Sequence, residues 1–315
     1  MDRGILGIGV CTLDVLTKVS SFPEDESVEE ADSSELMGGG PVATALAAAS
    51  KLGSPTTMLD TLGDGWQSEF IINELKSIGV SCDKIIIEDG AKASLASVLI
   101  RKSDGARAIR FVRSTAKALS DNAITKKIIS QHKIIHCNGR HLNACLKAAS
   151  ECKAVNGEHF MSFDGGAGRY RKELLPLMKV IDIAIVAKDF ASKLSGQNDL
   201  NSKAWSCMKE AFPKAEILGI TDGIKGSWFL NEDGTTFHQP AYSVPLTVDT
   251  TGCGDVYHGA FLNGILRNLS VEESAKMASA AGALNAMKMG GRGNLVNHDR
   301  LNLFLEKAKE IESKP

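Results

Sequence analysis

Residues 249–261 read DTTGCGDVYHGAF: two glycines around a cysteine, an aspartate directly behind them, and then a helix-like run. Consecutive backbone N–H groups at Gly252, Cys253 and Gly254, placed at a helix start, would form a pocket for an anion. The first turn of a helix has donors without intrahelical acceptors, and the dipole favours negative charge there. An aspartate beside that pocket could accept a proton from a hydroxyl attacking a phosphoryl group, while the amides stabilise charge growing on the transferred oxygens. The plainer reading of Asp255 is structural, because aspartate after a glycine turn is a favoured helix N-cap. Cys253 also has two readings, a small buried filler or a thiol activated by the helix start, and the filler is preferred.

Other chemistries fail on spacing. GILGIGVCTLD lacks the third glycine of a dinucleotide-binding GxGxxG and opens onto no helix, and no GxxxxGK[ST] loop occurs. The seven histidines show no HExxH or other metal spacing, so they are assigned no role. The seven cysteines contain no CxxC pair and are odd in number, which argues against a disulfide framework or a zinc site and for reduced thiols in a cytoplasmic protein. A formal net charge of -2 gives no basic face for nucleic acid or anionic membrane. No run of about 18 apolar residues could span a bilayer, and MDRGILGIGV lacks the form of a signal peptide. These exclusions leave a small molecule as the expected partner.

The elements that must hold these residues follow from periodicity. ILGIGV (5–10) has the pattern of a buried parallel strand. PVATALAAASKLG (41–53) starts with proline and ends with glycine, as a helix does, and its alanine density implies close packing on a sheet. TMLDTLG, IIHCNG, FMSFDG, IDIAIV and EILGITDG read as further strands, with WQSEFIINELKSIG and LNACLKAASEC as helices between them. This alternation predicts an open α/β sheet, mostly parallel and doubly wound, with helices on both faces and ligands at the carboxyl ends of the strands. KASLASVLIRKSDGARAIRFVRS breaks the pattern with a hairpin that turns at Ser103-Asp104-Gly105. With residues 12–36 it would form a small separate sheet suited to a lid.

DTTGCGDVYHGAF resembles the C-terminal signature DTxGAGDxFxGA of the PfkB or ribokinase-like sugar kinases, with Cys253 in place of alanine and Tyr257 in place of phenylalanine. MGGGPVATALAAASKLG (37–53) is similar to the family's other signature, a Gly-Gly turn leading into an alanine-rich helix. GDG at 63–65, the hairpin, TDGIKGS at 221–227 and GGRGN at 290–294 fall where that family has elements, so the resemblance covers nearly the whole chain. It implies a ribokinase-like fold, one domain over 1–315 with a discontinuous β lid from about 11–37 and 90–115. The implied activity is ATP-dependent phosphorylation of a sugar hydroxyl. Asp255 would then be the base, with the amides of Gly252, Cys253 and Gly254 as the anion hole.

Carried over residue by residue, the resemblance makes Asp14 the aspartate that binds sugar hydroxyls, and Gly39 and Gly40 the turn that lets sugar approach the backbone. Thr44 stands where ribokinases carry a sugar-contacting asparagine, and Pro41 where they carry a lysine, so ribose itself is not implied. Thr221, Gly223 and Gly226 would border ATP, and Asn285 to Asn294 would wrap the adenine. Asp249 and Thr251, with nearby carbonyls, would hold a monovalent cation such as K+. Magnesium would accompany ATP, but Ala187 and Phe190 replace the N-x-x-E pair that the family associates with it, so no protein ligand is named.

That departure, with GGGP, HQPAYSVPLTVDTTG and GGR at 290–292, looks most like the branch containing bacterial sulfofructose kinases. The branch implies an anionic sugar, for which Arg140, after the strand IIHCNG, and Arg110 and Arg113 in the lid are the candidate cations. A homodimer through the lid strands is also implied. Two rivals remain open: a nucleoside kinase of the same fold, and a catalytically silent ligand-binding protein on it.

Overall fold

The computed structural model of the protein describes residues 3–308. The chain opens with β1 (Gly4–Ile8), β2 (Thr12–Val19), β3 (Ser33–Gly39), α1 (Pro41–Lys51), β4 (Thr56–Leu59) and β5 (Thr61–Gly63). It continues through α2 (Trp66–Ile78), β6 (Ile86–Glu88), β7 (Ser94–Arg101), β8 (Arg107–Val112), α3 (Lys126–Ser130), β9 (His132–Cys137), α4 (Leu142–Ala154) and β10 (Phe160–Gly165). Then come α5 (Leu175–Met178), β11 (Ile183–Ala187), α6 (Lys188–Ser195), α7 (Ser202–Ala211), β12 (Ile217–Thr221), β13 (Ser227–Leu230) and β14 (Thr236–Gln239). Three helices close the chain: α8 (Cys253–Leu266), α9 (Val271–Asn285) and α10 (His298–Lys307).

Eight strands form the main sheet in the order β14-β13-β12-β11-β10-β9-β1-β4, parallel from β4 to β12 and antiparallel at β13 and β14. Winding runs outward from β1 to β4 and then restarts on the other side at β9. The reversal between β1 and β9 opens a crevice at their carboxyl ends, where ligands bind in such sheets.

The strands read as continuous apolar runs because both faces are covered. In β11, Ile183 and Ile185 join the core under one layer of helices, while Ala184 and Val186 join the core under the other. α1 is buried all along from Val42 to Ala49, as expected of a helix that is apolar on every side. Its contact with α8 depends on Gly259, where a Cβ would lie 2.1 Å from the Ala45 carbonyl oxygen.

A second sheet, β3-β2-β7-β8, stands apart from the first. The β7–β8 hairpin turns at Gly105 in the left-handed region, φ 66, with Arg101 paired to Asp104 at 2.6 Å. β8 is an open edge carrying exposed Phe111 and Val112.

Two features depart from the sequence reading. TMLDTLG divides at Asp60, and β5 leaves to pair with β6. The cause is the buried Asp60 carboxylate, which accepts N–H bonds from Cys11 at 2.7 Å and Thr61 at 2.8 Å and faces His141 Nε2 at 2.7 Å. The antiparallel hairpin β13–β14, turning through Asn231–Gly234, extends the sheet beyond the parallel strands read from the sequence.

Candidate active site

α8 begins immediately after the glycine turn. Gly252 is its N-cap at φ 69, with no side-chain cap, and a Cβ there would lie 2.5 Å from the Gly291 Cα. Only glycine fits that crossing. Asp255 is therefore the third helical residue and not the cap, which removes the plain structural reading. Around Gly254 a Cβ would meet nothing within 4 Å, and both glycines line a cleft of about 690 Å³. The opening turn thus faces open space, with helix-start amides able to bind an anion. Burial pushes the Cys253 thiol up to about 12, with Asp249 adding to it, which favours a small filler over an activated thiol.

Asp255 also lines the cleft. Burial pushes its carboxyl up to about 7; Arg169 opposes the shift, Asp164 adds to it, Arg107 opposes it and Asp14 adds to it. Arg169 stands between two carboxylates, with Nη1 2.6 Å from Asp164 Oδ2 and Nη2 3.8 Å from Asp255 Oδ1. Asp164 Oδ1 lies 3.4 Å from His258 Nε2, one turn along α8 from Asp255. Burial raises the Asp164 carboxyl, but Arg169 and His258 outweigh it and hold the group below the usual carboxylate range. Its burial and the neighbouring His258 push His136 down to about 3, so that ring is neutral. The Asp255 carboxylate therefore stands over a buried layer of charged and polar groups that shifts its proton affinity.

On the acceptor side, Asp14 points into the cleft from β2, and Thr12 Oγ1 donates to its Oδ1 at 2.7 Å. Burial raises its carboxyl, with Thr12 and Arg292 opposing. Gly39 and Gly40 serve the fold before any ligand: a Cβ on Gly39 would fall 2.1 Å from the Asp14 carboxylate, and one on Gly40 would fall 2.1 Å from the Val10 carbonyl. Gly40 lines the cleft. Thr44 is turned away, 1% exposed, with its hydroxyl accepting from Arg292 Nε at 3.3 Å. Arg292 also donates to the Gly39 carbonyl at 2.9 Å and to Glu74 Oε2 at 2.6 Å, locking the β3–α1 turn to α2.

Five arginines line the cleft: Arg107, Arg113, Arg140, Arg169 and Arg171. Arg140 follows β9, its N–H bonded to Asn138 Oδ1 at 3.1 Å, and Arg171 donates to the Gly139 carbonyl at 2.6 Å. Arg107, Ile109 and Phe111 alternate along β8 onto the cleft, with Arg113 in the lining just past the strand, which leaves Arg110 outside the lining. From the lid, Arg107 and Arg113 line the cleft and Arg110 does not, and Arg107 reaches Thr250 Oγ1 at 2.6 Å.

Thr221 lines the cleft at the end of β12, beside Ala187. Gly223 and Gly226 take positive φ of 54 and 90, and a Cβ on Gly226 would lie 2.1 Å from the Gln239 carbonyl. Asn285 is fully buried and reaches inward, its amide donating to the carbonyls of Thr251 at 3.4 Å and Gly291 at 3.2 Å. The buried Asp249 is likewise occupied: Oδ1 accepts from the Thr251 N–H at 2.8 Å and hydroxyl at 2.7 Å, and Oδ2 from the Gly290 N–H at 2.7 Å. Asp249 and Asn285 act as staples that bind the 249–254 turn to residues 290–294.

Asp164, Arg169, Arg171 and His258 join the site without having been singled out in the sequence. The signal available was DGGAGRYR after the strand FMSFDG, and a histidine three residues after Asp255 on the same helical face. Among the described residues no group of three His, Cys, Asp or Glu side chains could hold a metal ion, and no helix is long and apolar enough to cross a membrane.

Residues 3–297 match the family model for pfkB family carbohydrate kinases. The chain is 22% identical over 279 residues to ketohexokinase of Mus musculus, covering 87% of this chain and 93% of that protein. It is 27% identical over 275 residues to fructokinase-2 of Oryza sativa subsp. japonica, covering 80% of each. Among solved structures, a putative ribokinase from Agrobacterium tumefaciens superposes with a TM-score of 0.89 at 20% identity, covering 98% of both chains. Arabidopsis thaliana ribokinase complexed with ribose and ATP gives 0.83 at 20% identity, covering 97% of this chain and 99% of that one.

Proposed function

The chain belongs to the pfkB family of carbohydrate kinases, and from that premise we propose that it transfers the γ-phosphoryl group of ATP to a hydroxyl of an anionic sugar. The observation that carries this reading is Asp255 on the first turn of α8, in a cleft wall shared with the open amide turn and five arginines. The sugar hydroxyl gives its proton to Asp255 as its oxygen bonds to the γ-phosphorus, and the bond to the ADP oxygen breaks. The helix-start amides at 252–254 hold the charge on the transferring group, as positioning and electrostatics do in phosphoryl transfer generally. Asp14 orients the acceptor hydroxyls, and Thr221 and the Gly223–Gly226 turn border the nucleotide. Magnesium fits as part of the nucleotide substrate, held by phosphates and water.

The arginines favour an anion on the acceptor. Asp14, Asp164 and Asp255 also line the cleft, but Arg169 already engages Asp164 and approaches Asp255. Arg113, Arg140 and Arg171 pair with no carboxylate among the described residues of the cleft, and a guanidinium matches a carboxylate, sulfonate or phosphate in two bonds. For a monovalent cation beside the turn, the remaining lone pair of Asp249 Oδ2 and the nearby loop carbonyls are the candidate ligands, since Asp249 Oδ1 already accepts twice from Thr251. The open β8 edge, with Phe111 and Val112 exposed, is the surface for a homodimer through the lid. Seven free cysteines suit a reducing compartment such as the cytoplasm.

An ADP-release assay over neutral sugars, phosphosugars, sulfosugars and nucleosides, with ATP and magnesium and with or without potassium, tests the proposal. Turnover confined to anionic sugars is expected. Turnover of nucleosides alone would overturn the acceptor class, and silence across the panel would favour a ligand-binding protein on the kinase fold.

A further inference from the structure

At the opposite end of the main sheet from the cleft, Arg3, the loop 52–55, the start of β9, the end of α8 and the start of α10 line an open pocket of about 530 Å³. That volume lies within the range of small-molecule sites, about 300–1,000 Å³. Its lining carries Arg3, Lys133, Arg267 and His298 and includes no acid. Arg267 Nη1 stands 3.0 Å and 3.1 Å from the two ring nitrogens of His298, with no carboxylate lining the cavity to compensate. Burial, with Arg267 beside it, holds His298 below the usual histidine range; the Leu52 carbonyl and Asp299 pull weakly the other way. Glu158 pairs with Lys133 at 3.4 Å from outside the cavity and is 64% exposed.

Asn263, 1% exposed, forms part of the lining. Its amide nitrogen donates to the Leu52 carbonyl at 3.0 Å and to Ser54 Oγ at 2.8 Å, while its Oδ1 has no hydrogen-bond partner among the described residues. A buried acceptor without a donor costs free energy, as does like charge gathered against a single exposed counter-ion, Glu158. One ligand relieves both: an anion for the cations, joined to a group that carries a hydroxyl for the acceptor.

We propose that this cavity is a second small-molecule site, for a phosphate monoester such as a sugar phosphate. Arg267, Lys133 and Arg3 hold the phosphate, Arg267 through two of its N–H groups, and Asn263 accepts from the attached group. α8 joins this site to the base, with Asp255 near its start and Arg267 as its C-cap. At about 1.5 Å per residue the two positions are roughly 18 Å apart.

NMR titration of the histidine ring protons tests this site directly, with the His298 signal assigned by its loss in His298→Gln. Because His298 lies outside the catalytic cleft, the signal does not depend on which sugar the kinase uses. Sulfate and glucose 6-phosphate are added separately at constant ionic strength. The His298 midpoint is expected to rise by about half a unit or more, at lower concentration with glucose 6-phosphate than with sulfate. The rise is expected to vanish in Arg267→Gln combined with Lys133→Gln. An unmoved midpoint, an equal rise in the double variant, or a response to sulfate alone would overturn the proposal.

Discussion

Burial pushes the carboxyl of Asp255, the proposed base, up to about 7, and Arg169 is the strongest group opposing that shift. A base works only when ionised, so kcat/KM is expected to fall about tenfold per unit below pH 7, where burial has pushed the carboxyl to about 7. The groups facing it are Arg169, Asp164, Arg107 and Asp14, and Arg169 is the strongest of those that favour the ionised form. Arg169→Gln removes that cation, so the acidic limb of the pH profile should move upward, while Arg169→Lys should move it less. A limb that stays in place in Arg169→Gln would remove Arg169 from the base's environment. Along the acceptor wall, Arg140→Ala is expected to raise KM for an anionic sugar at least tenfold, roughly the cost of a lost charged hydrogen bond. KM for ATP should not change, and steady-state kinetics separates the two.

The glycines of the turn before α8 look interchangeable in the sequence but have different roles in the element. Gly252→Ala sets a Cβ against Gly291 at a φ of 69, so it should unfold the turn, costing well over ~1 kcal/mol with turnover lost. Gly254→Ala meets nothing within 4 Å, so it should leave the melting temperature nearly unchanged while cutting kcat at least tenfold by filling the approach to the amides. Thermal denaturation together with turnover decides this, and an unaffected kcat in Gly254→Ala would place the phosphoryl group elsewhere. This turn and α1 were legible because local residues specify them: glycine before a helix, proline at its first turn and alanine throughout. Arg107 was missed because a strand register decides which arginines of β8 face the cleft, and Arg110 lies one position out of phase. Arg169 and Asp164 are neighbours in DGGAGRYR, but their contacts with Asp255 and His258, like those of Arg292 with Thr44 and Glu74, cross long sequence separations that no local pattern shows. Thr44 and Asn285 were legible as family positions, but their contacts are with Arg292 and the loop carbonyls, deep inside the protein.

In the molecule as a whole, the doubly wound sheet brings the ends of β1, β9, β10 and β12 to one crevice, and the small sheet closes over it, with Arg107 touching the turn that opens α8. If the exposed β8 edge is the proposed dimer contact, sedimentation should show a dimer that Phe111→Asp dissociates; a monomeric wild-type protein would contradict this. On the proposed function these parts serve one act, the removal of a proton by Asp255 beside an amide pocket that survives without it. Single-turnover phosphoryl transfer and ATP binding, measured together in Asp255→Asn, test that act most directly. Transfer should be abolished and ATP affinity should stay within a few-fold of wild type. Near-normal transfer in that variant would contradict the account.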